Sequence, residues 1–301
     1  MVRICVGVYG LSDWFGGDFA PVVELIAAAD RIGIDQVNVP DHVVMGEATH
    51  NYPYGKFVTA PDYPWIEPLT FLAGVATATR RIRLATGIVI APLRPAALLA
   101  KQVATLDMLS AGRLDLGVGV GWQKEEYLAC GVSFEDRYRL LDEQMRACRQ
   151  LWTQAPASFE GEFVHFERIY SKPFPLQKRL PVLLGLAPLP KNVARIAEYG
   201  DGWVPLLETP AQIKAGIAAL RDAFRAHGRD PRELQVRAVP QFQFRADGKA
   251  DLEATLAQIP ALIEAGATAV EVYACMFCAG PGDFEGFCER LVDFKSGLAR
   301  S

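Results

Sequence analysis

Eight short apolar runs, each followed by a stretch of helical periodicity, divide this chain of 301 residues from end to end. They are "RICVGV" (3–8), "DQVNVP" (35–40), "IRLATG" (82–87), "RLDLGVG" (113–119), "PVLLG" (181–185), "GWVPL" (202–206), "QVRAVPQ" (235–241) and "AVEVYA" (269–274). The runs are apolar throughout rather than alternating, as strands covered on both faces are, and such strands pair in parallel. Between them Val22, Ile26, Ala29 and Ile32 fall on one helical face, as do Tyr138, Leu141, Met145, Cys148 and Trp152. Further helices are predicted over 68–81, 96–110, 189–199, 211–227, 251–265 and 283–298. Gly33, Gly112, Gly200 and Gly266 each stand just past a helix and shortly before a strand, where glycine ends helices. Eight such units predict a closed (β/α)8 TIM barrel, with a doubly wound open sheet as the fallback. Chain length alone would suggest two domains, but α/β barrels use this length as one, and no break in composition splits 1–301. Two insertions interrupt the pattern, at about 45–68 after the second strand and about 157–179 before the fifth. The second alternates like a short hairpin.

A barrel of this kind carries its chemistry at the C-terminal ends of its strands, which turns the strand order into a residue list. The second strand delivers Asp41 and His42, the third Thr86 and Gly87, and the fourth Gly117 through Trp122. The fifth delivers Gly185, Leu186 and Ala187, the sixth Trp203, and the eighth Tyr273. His42, one of four histidines, is a group that gives or takes a proton near neutral pH. Its neighbour Asp41 either orients the imidazole or caps the following turn. In "GVGVGW" (117–122) no third glycine falls where a dinucleotide fingerprint needs one. The alternating Gly117, Gly119 and Gly121 instead let a flat ligand lie close against backbone. Gly185 ends a strand and a helix opens near 188–191, where free amides and the helix dipole favour a phosphate. From Lys172 to Arg195, five basic residues (Lys172, Lys178, Arg179, Lys191, Arg195) meet no acidic one, which suggests a polyanionic ligand, with Lys191 the best-placed contact.

A formal net charge of −4 argues against nucleic acid or an anionic membrane surface as a partner. No run approaches the roughly 18–20 apolar residues of a membrane span. The N-terminus carries one charge and then a strand-like run, without a secretory layout, so a cytoplasmic protein is the expectation. Six cysteines lie scattered among apolar neighbours and read as structural. "CMFC" (275–278) has C-x-x-C spacing, but no second ligand pair or nearby histidine accompanies it, so no metal is expected. No Ser-His-Asp spacing, HExxH helix or metal-type carboxylate cluster is present. A flat phosphorylated cofactor is left to supply the reactive chemistry.

The segments "PDHVV" (40–44), "ATGIVIAPLRPAALLAKQVATLDMLSAGRLDLGVGVGWQKEEYLACG" (85–131), "PVLLG" (181–185) and "YGDGWVP" (199–205) resemble the bacterial-luciferase-like superfamily, and within it the coenzyme F420-dependent oxidoreductases. The long central segment is highly specific; the C-terminal quarter matches only in pattern. The resemblance implies a TIM barrel that binds F420 or FMN at its C-terminal mouth, often as a homodimer. It implies a non-proline cis peptide at Gly87–Ile88 against the ring system, and His42 beside the redox-active ring as proton donor or acceptor. It places the phosphate in the loop of Gly185, Leu186 and Ala187. Two departures stand out. Many relatives have a second glycine and a serine in that loop, whereas this chain has "GLAP", which leaves backbone contacts. The superfamily's F420-dependent sugar-phosphate dehydrogenases carry a catalytic glutamate where Trp122 stands, so their proton relay and substrate do not carry over. Glu125 and Glu126 are nearby but fall on the following helix.

The expected activity is F420-dependent hydride transfer to or from a small, apolar organic substrate, with His42 handling the coupled proton. Thr86, Gly87, Ile88, Gly119, Gly121 and Trp122 are expected to flank the ring, and Gly185, Leu186, Ala187 and Lys191 to hold the phosphate. The loop 45–68, with Tyr52, Tyr54, Phe57, Tyr63 and Trp65, is expected to cover the substrate and exclude water. The alternatives are an FMN-dependent monooxygenase supplied by a separate flavin reductase, and a non-catalytic flavin-binding protein that has kept the barrel.

Overall fold

The computed structural model describes residues 2–53, 55–206 and 208–298. The apolar runs form β1 (Arg3–Gly7), β2 (Gln36–Val39), β3 (Arg83–Thr86), β4 (Leu114–Gly119), β5 (Val182–Leu184), β6 (Gly202–Trp203), β7 (Gln235–Ala238) and β8 (Ala269–Tyr273). Each pairs in parallel with the next, and β8 pairs back onto β1, which closes a (β/α)8 barrel. Around it pack α1 (Ala20–Ile32), α2 (Pro68–Ala78), α3 (Ala96–Leu109), α4 (Lys124–Ala129) and α5 (Arg137–Thr153). They are followed by α6 (Pro190–Tyr199), α7 (Pro210–Ala226), α8 (Leu252–Leu256), α9 (Ile259–Ala265) and α10 (Phe284–Leu298). The apolar faces of these helices form one buried layer against the outside of the barrel, to which Val22, Leu72, Leu99 and Phe224 each contribute a fully covered side chain. Burying such a side chain contributes roughly 1.5–3 kcal/mol.

Several elements differ from the sequence expectation for physical reasons. The predicted helix 251–265 breaks into α8 and α9 because Pro260, in the first turn of α9, has no N–H with which to continue the helix from α8. Strands β6 and β7 end short of Pro205 and Pro240, which cannot donate to a ladder. Gly33 and Gly266 take the left-handed conformation at φ 113° and 111°, but Gly200 is extended at φ −87° and does not use glycine's freedom. The insertion before β5 holds an antiparallel hairpin, Ala157–Glu160 against His165–Ile169.

The barrel interior is polar. At its N-terminal end Asp115 accepts bonds from Arg3 (2.9 Å), Gln36 (2.6 Å) and Arg83 (2.6 Å). Above it Glu271 accepts from Asn38 (2.7 Å) and pairs with Arg237 (3.2 Å), and Arg237 donates to the Thr86 carbonyl (2.8 Å). Buried charges persist only when partnered in this way. This second layer is the floor on which the C-terminal mouth rests. No helix among the described residues is long and apolar enough to cross a membrane.

Candidate active site

Strand β3 continues past Thr86. The Gly87–Ile88 peptide is cis, and Val89–Ile90 then resumes pairing along β4. The Ile88 side chain lies over two glycines: a Cβ on Gly119 would stand 2.8 Å from Ile88 Cδ1, and one on Gly185 would stand 2.8 Å from Ile88 Cγ2. At Gly117 a Cβ would stand 2.0 Å from the Thr86 carbonyl oxygen. The alternating glycines therefore make room for the protein's own β3 rather than for a flat ligand; of the three, Gly121 lines the mouth. Thr86 also turns away from the role of a ring contact. It is buried, and its hydroxyl exchanges bonds with Gly117 (2.7 and 2.9 Å), stapling β3 to β4.

A cavity of about 420 Å³ opens at this end of the barrel. His42, Gly87, Gly121, Trp122, Gly185, Leu186 and Ala187 line it from the strand ends, with Ile88 beside them, whereas Gly119, Trp203 and Tyr273 from the same strand ends do not. The imidazole is almost covered, with 9 % of its side chain exposed, and the carboxylate beside it belongs to Glu126 of α4. Glu126 Oε2 lies 3.2 Å from His42 Nδ1, and Oε1 accepts the Val43 N–H at 2.6 Å. Asp41 does not orient the imidazole. Its carboxylate is clamped by Arg94 (2.6 and 2.9 Å) and accepts the Ile90 N–H (2.8 Å), which ties the end of β2 to the strand after Ile88. Burial opposes the Arg94 charge, but Asp41 and Glu67 together raise its pKa above the usual arginine range.

Aromatic side chains of the insertion after β2 close over His42. Its ring centroid lies 4.8 Å from that of Trp65, 5.7 Å from Phe57 and 6.2 Å from Trp122. Tyr52 packs on Phe57 (5.1 Å) and Trp122 (5.2 Å), and burial raises the pKa of its hydroxyl. Tyr63 stands outside this box: its hydroxyl accepts the Gly10 N–H (3.1 Å), and its ring props Trp65 from behind (5.0 Å). Tyr54 lies outside the described residues.

The cavity lining also carries a cation, Arg137, that no feature of the sequence singled out. Arg137, in the first turn of α5, donates to the Phe134 carbonyl (2.7 Å) and lies 3.9 Å over the Phe134 ring. Its Nε is buried without a hydrogen-bond partner. Across from it α6 begins without a side-chain cap, and Asn192 in that first turn lines the cavity and donates to the Ala187 carbonyl (2.8 Å). Lys191 is exposed and does not line the cavity. Nor does the rest of the basic tract converge there. Arg195 is held by Asp142 (2.6 and 3.0 Å), and Arg179 joins Arg149 and Arg229 on Asp201 around the base of the barrel. Lys178 lines a separate cleft at that base.

The cysteines carry no reactive signature. Burial pushes the Cys275 thiol up to about 11 and those of Cys148, Cys278 and Cys288 up to about 12. No group of three or more His, Cys, Asp or Glu among the described residues is arranged to hold a metal ion. At neutral pH fewer than about one in a thousand of these four thiols is ionised. Iodoacetamide therefore alkylates them slowly in the folded protein, and faster as the pH rises or the chain unfolds; mass spectrometry over time checks this.

Comparison with known proteins places this geometry. The family model described as luciferase-like monooxygenase matches residues 7–275. An uncharacterized protein of Mycobacterium tuberculosis is 37% identical over 219 residues, covering 68% of this chain and 75% of that protein. Among solved structures, monooxygenase RslO1 from Streptomyces bottropensis superposes with a TM-score of 0.76 at 23% identity, covering 96% of this chain and 97% of that one. An F420-dependent secondary alcohol dehydrogenase superposes with a TM-score of 0.75 at 17% identity, covering 97% and 98%. Since the family match runs from the end of β1 to just past β8, and so takes in every element that builds the mouth, this chain belongs to the luciferase-like monooxygenase family of oxidoreductases.

Proposed function

We propose that the protein is an F420-dependent oxidoreductase that moves hydride to or from a small, largely apolar organic substrate at the mouth of the barrel. The observation that carries this reading is the buried His42–Glu126 pair on the wall of a cavity lined by aromatic rings and by the Arg137 guanidinium. A planar, phosphorylated ring system fits these residues, since the volume lies within the range of cofactor sites and a guanidinium, that of Arg137, is among the lining groups. Bound there, F420 supplies a ring carbon that gives or accepts hydride, where a flavin has a nitrogen able to carry a proton. The protein must then move the proton itself. His42 gives or takes it at Nε2, the nitrogen that Glu126 leaves free. Phe57, Trp65 and Trp122 keep water from the reacting atoms. Arg137 holds the phosphate, helped by the dipole at the start of α6, where the Asn192 and Val193 amides already donate to the Leu189 carbonyl and Pro190 has none.

A second reading, an FMN-dependent monooxygenase fed with reduced flavin by a separate reductase, is favoured by the family's own description. Fluorescence titration of the purified protein with F420 and with FMN separates the two. Saturable micromolar binding of F420 supports the first; binding of FMN alone reverses the order. Arg137→Ala is expected to weaken cofactor binding by about tenfold, the value of one lost charge-assisted hydrogen bond, in the same titration. The reading also takes the protein as a homodimer, supported by the outward residues Gly74 and Thr77 of α2 and Leu98, Thr105 and Met108 of α3, a face on which Lys101 is the charged member. Light scattering tests it against the 33.0 kDa protomer.

A further inference from the structure

We propose that Glu126 is the positioning residue that decides which nitrogen of His42 carries the proton and which meets the ligand. As a carboxylate Glu126 only accepts hydrogen bonds, and in that form it makes the ring nitrogen at 3.2 Å from its Oε2 the donor. Nδ1 is thereby protonated in both charge states of the ring, and in the neutral ring Nε2 is left bare. Histidine free in water prefers the opposite tautomer, with the proton on Nε2, so the fold imposes the arrangement rather than inheriting it.

The clamp is built to hold. Glu126 is fully buried, and its second oxygen is fixed by the Val43 N–H at 2.6 Å, one residue beyond the imidazole. One turn earlier on the same stretch, Gln123 binds both the N–H (2.7 Å) and the carbonyl (3.0 Å) of Gly46. The segment carrying His42 is thus tied twice to the start of α4. Among the described residues the charged groups around this pair are engaged elsewhere. Asp41 is engaged by Arg94 and the Ile90 amide, Arg94 also by Glu67, and Arg137 by the Phe134 carbonyl. The Tyr127 hydroxyl donates to the Val120 carbonyl, and burial raises the pKa of both Tyr127 and Cys130, which keeps them neutral.

The functional consequence rests on the reading of His42 as the proton handler; the tautomer does not. With Nε2 bare, the neutral imidazole is a base toward the cavity and becomes an acid only after taking a proton there. Glu126→Gln keeps the shape of the side chain but adds donors. Its carbonyl can still accept the Val43 N–H while its NH2 donates to Nδ1, which drives the ring proton to Nε2.

The test is a nitrogen-15 spectrum of full-length protein labelled at its histidines, taken without cofactor, with the His42 signals assigned by their loss in His42→Gln. The expected result is a His42 ring protonated at Nδ1 in the wild type, converted to the Nε2-protonated form in Glu126→Gln. A wild-type ring protonated at Nε2 overturns the proposal with no variant needed, and so does a Glu126→Gln protein of unchanged tautomer. Because no cofactor is present, the outcome is independent of whether F420, FMN or neither binds, and failure of the functional reading leaves it standing.

Discussion

Turnover of His42→Gln falls by about 10²–10⁴-fold, while the cofactor dissociation constant changes by less than about threefold. Glutamine preserves a polar side chain of similar reach but offers no group that titrates near neutral pH. The loss is confined to chemistry because the proposed reading gives the phosphate to Arg137 and the start of α6 and only the coupled proton to His42. The assay follows F420 absorbance with a substrate found by screening small alcohols, ketones and unsaturated carbonyl compounds. A variant that binds cofactor and turns over as the wild type does would remove His42 from the chemistry and favour the non-catalytic alternative.

The second large effect is on stability. Asp41→Asn is expected to destabilise the fold by about 3 kcal/mol, seen as a melting temperature lower by about 5 °C. The Asp41 side chain is fully buried and holds Arg94 with two bonds while also accepting the Ile90 amide. An asparagine neutralises one member of this pair and leaves Arg94, itself 9 % exposed, with only the partly exposed Glu67 as counter-charge. Removing one partner of a buried pair costs far more than the pair contributes, because the remaining charge stays desolvated. Differential scanning fluorimetry reads the shift. An unchanged melting temperature would mean that water reaches Arg94 and that the β2–α2 corner does not depend on the pair.

The barrel was legible in the chain because its evidence is local and repeated: apolar runs and helical faces alternate eight times, and the strands follow them. The cavity at the mouth, and His42 as one of its lining residues, were legible, since strand ends of a parallel barrel converge there. Its wiring was not. Adjacent residues at a strand end point in opposite directions, so Asp41 next to His42 in sequence is a poor predictor of contact between them. The true partner, Glu126, is 84 positions away and reaches His42 only once α4 has packed beside the mouth. Gly119 and Gly185 were readable as places of close approach, but nothing local says that the approaching group is Ile88. Arg137 escaped notice because it sits among other arginines at the start of an amphipathic helix, where a solvated charge is the ordinary expectation. The basic tract misled for the opposite reason, since the acids that neutralise Arg179 and Arg195, namely Asp201 and Asp142, lie outside it.

A crystal structure of the protein soaked with F420 tests the central claim most directly. The account predicts a planar ring beside Ile88 and within reach of His42 Nε2, with the phosphate between Arg137 and the first turn of α6. A ring bound elsewhere, such as the cleft at the barrel base beside Arg149 and Arg179, or a phosphate turned away from Arg137, would contradict it.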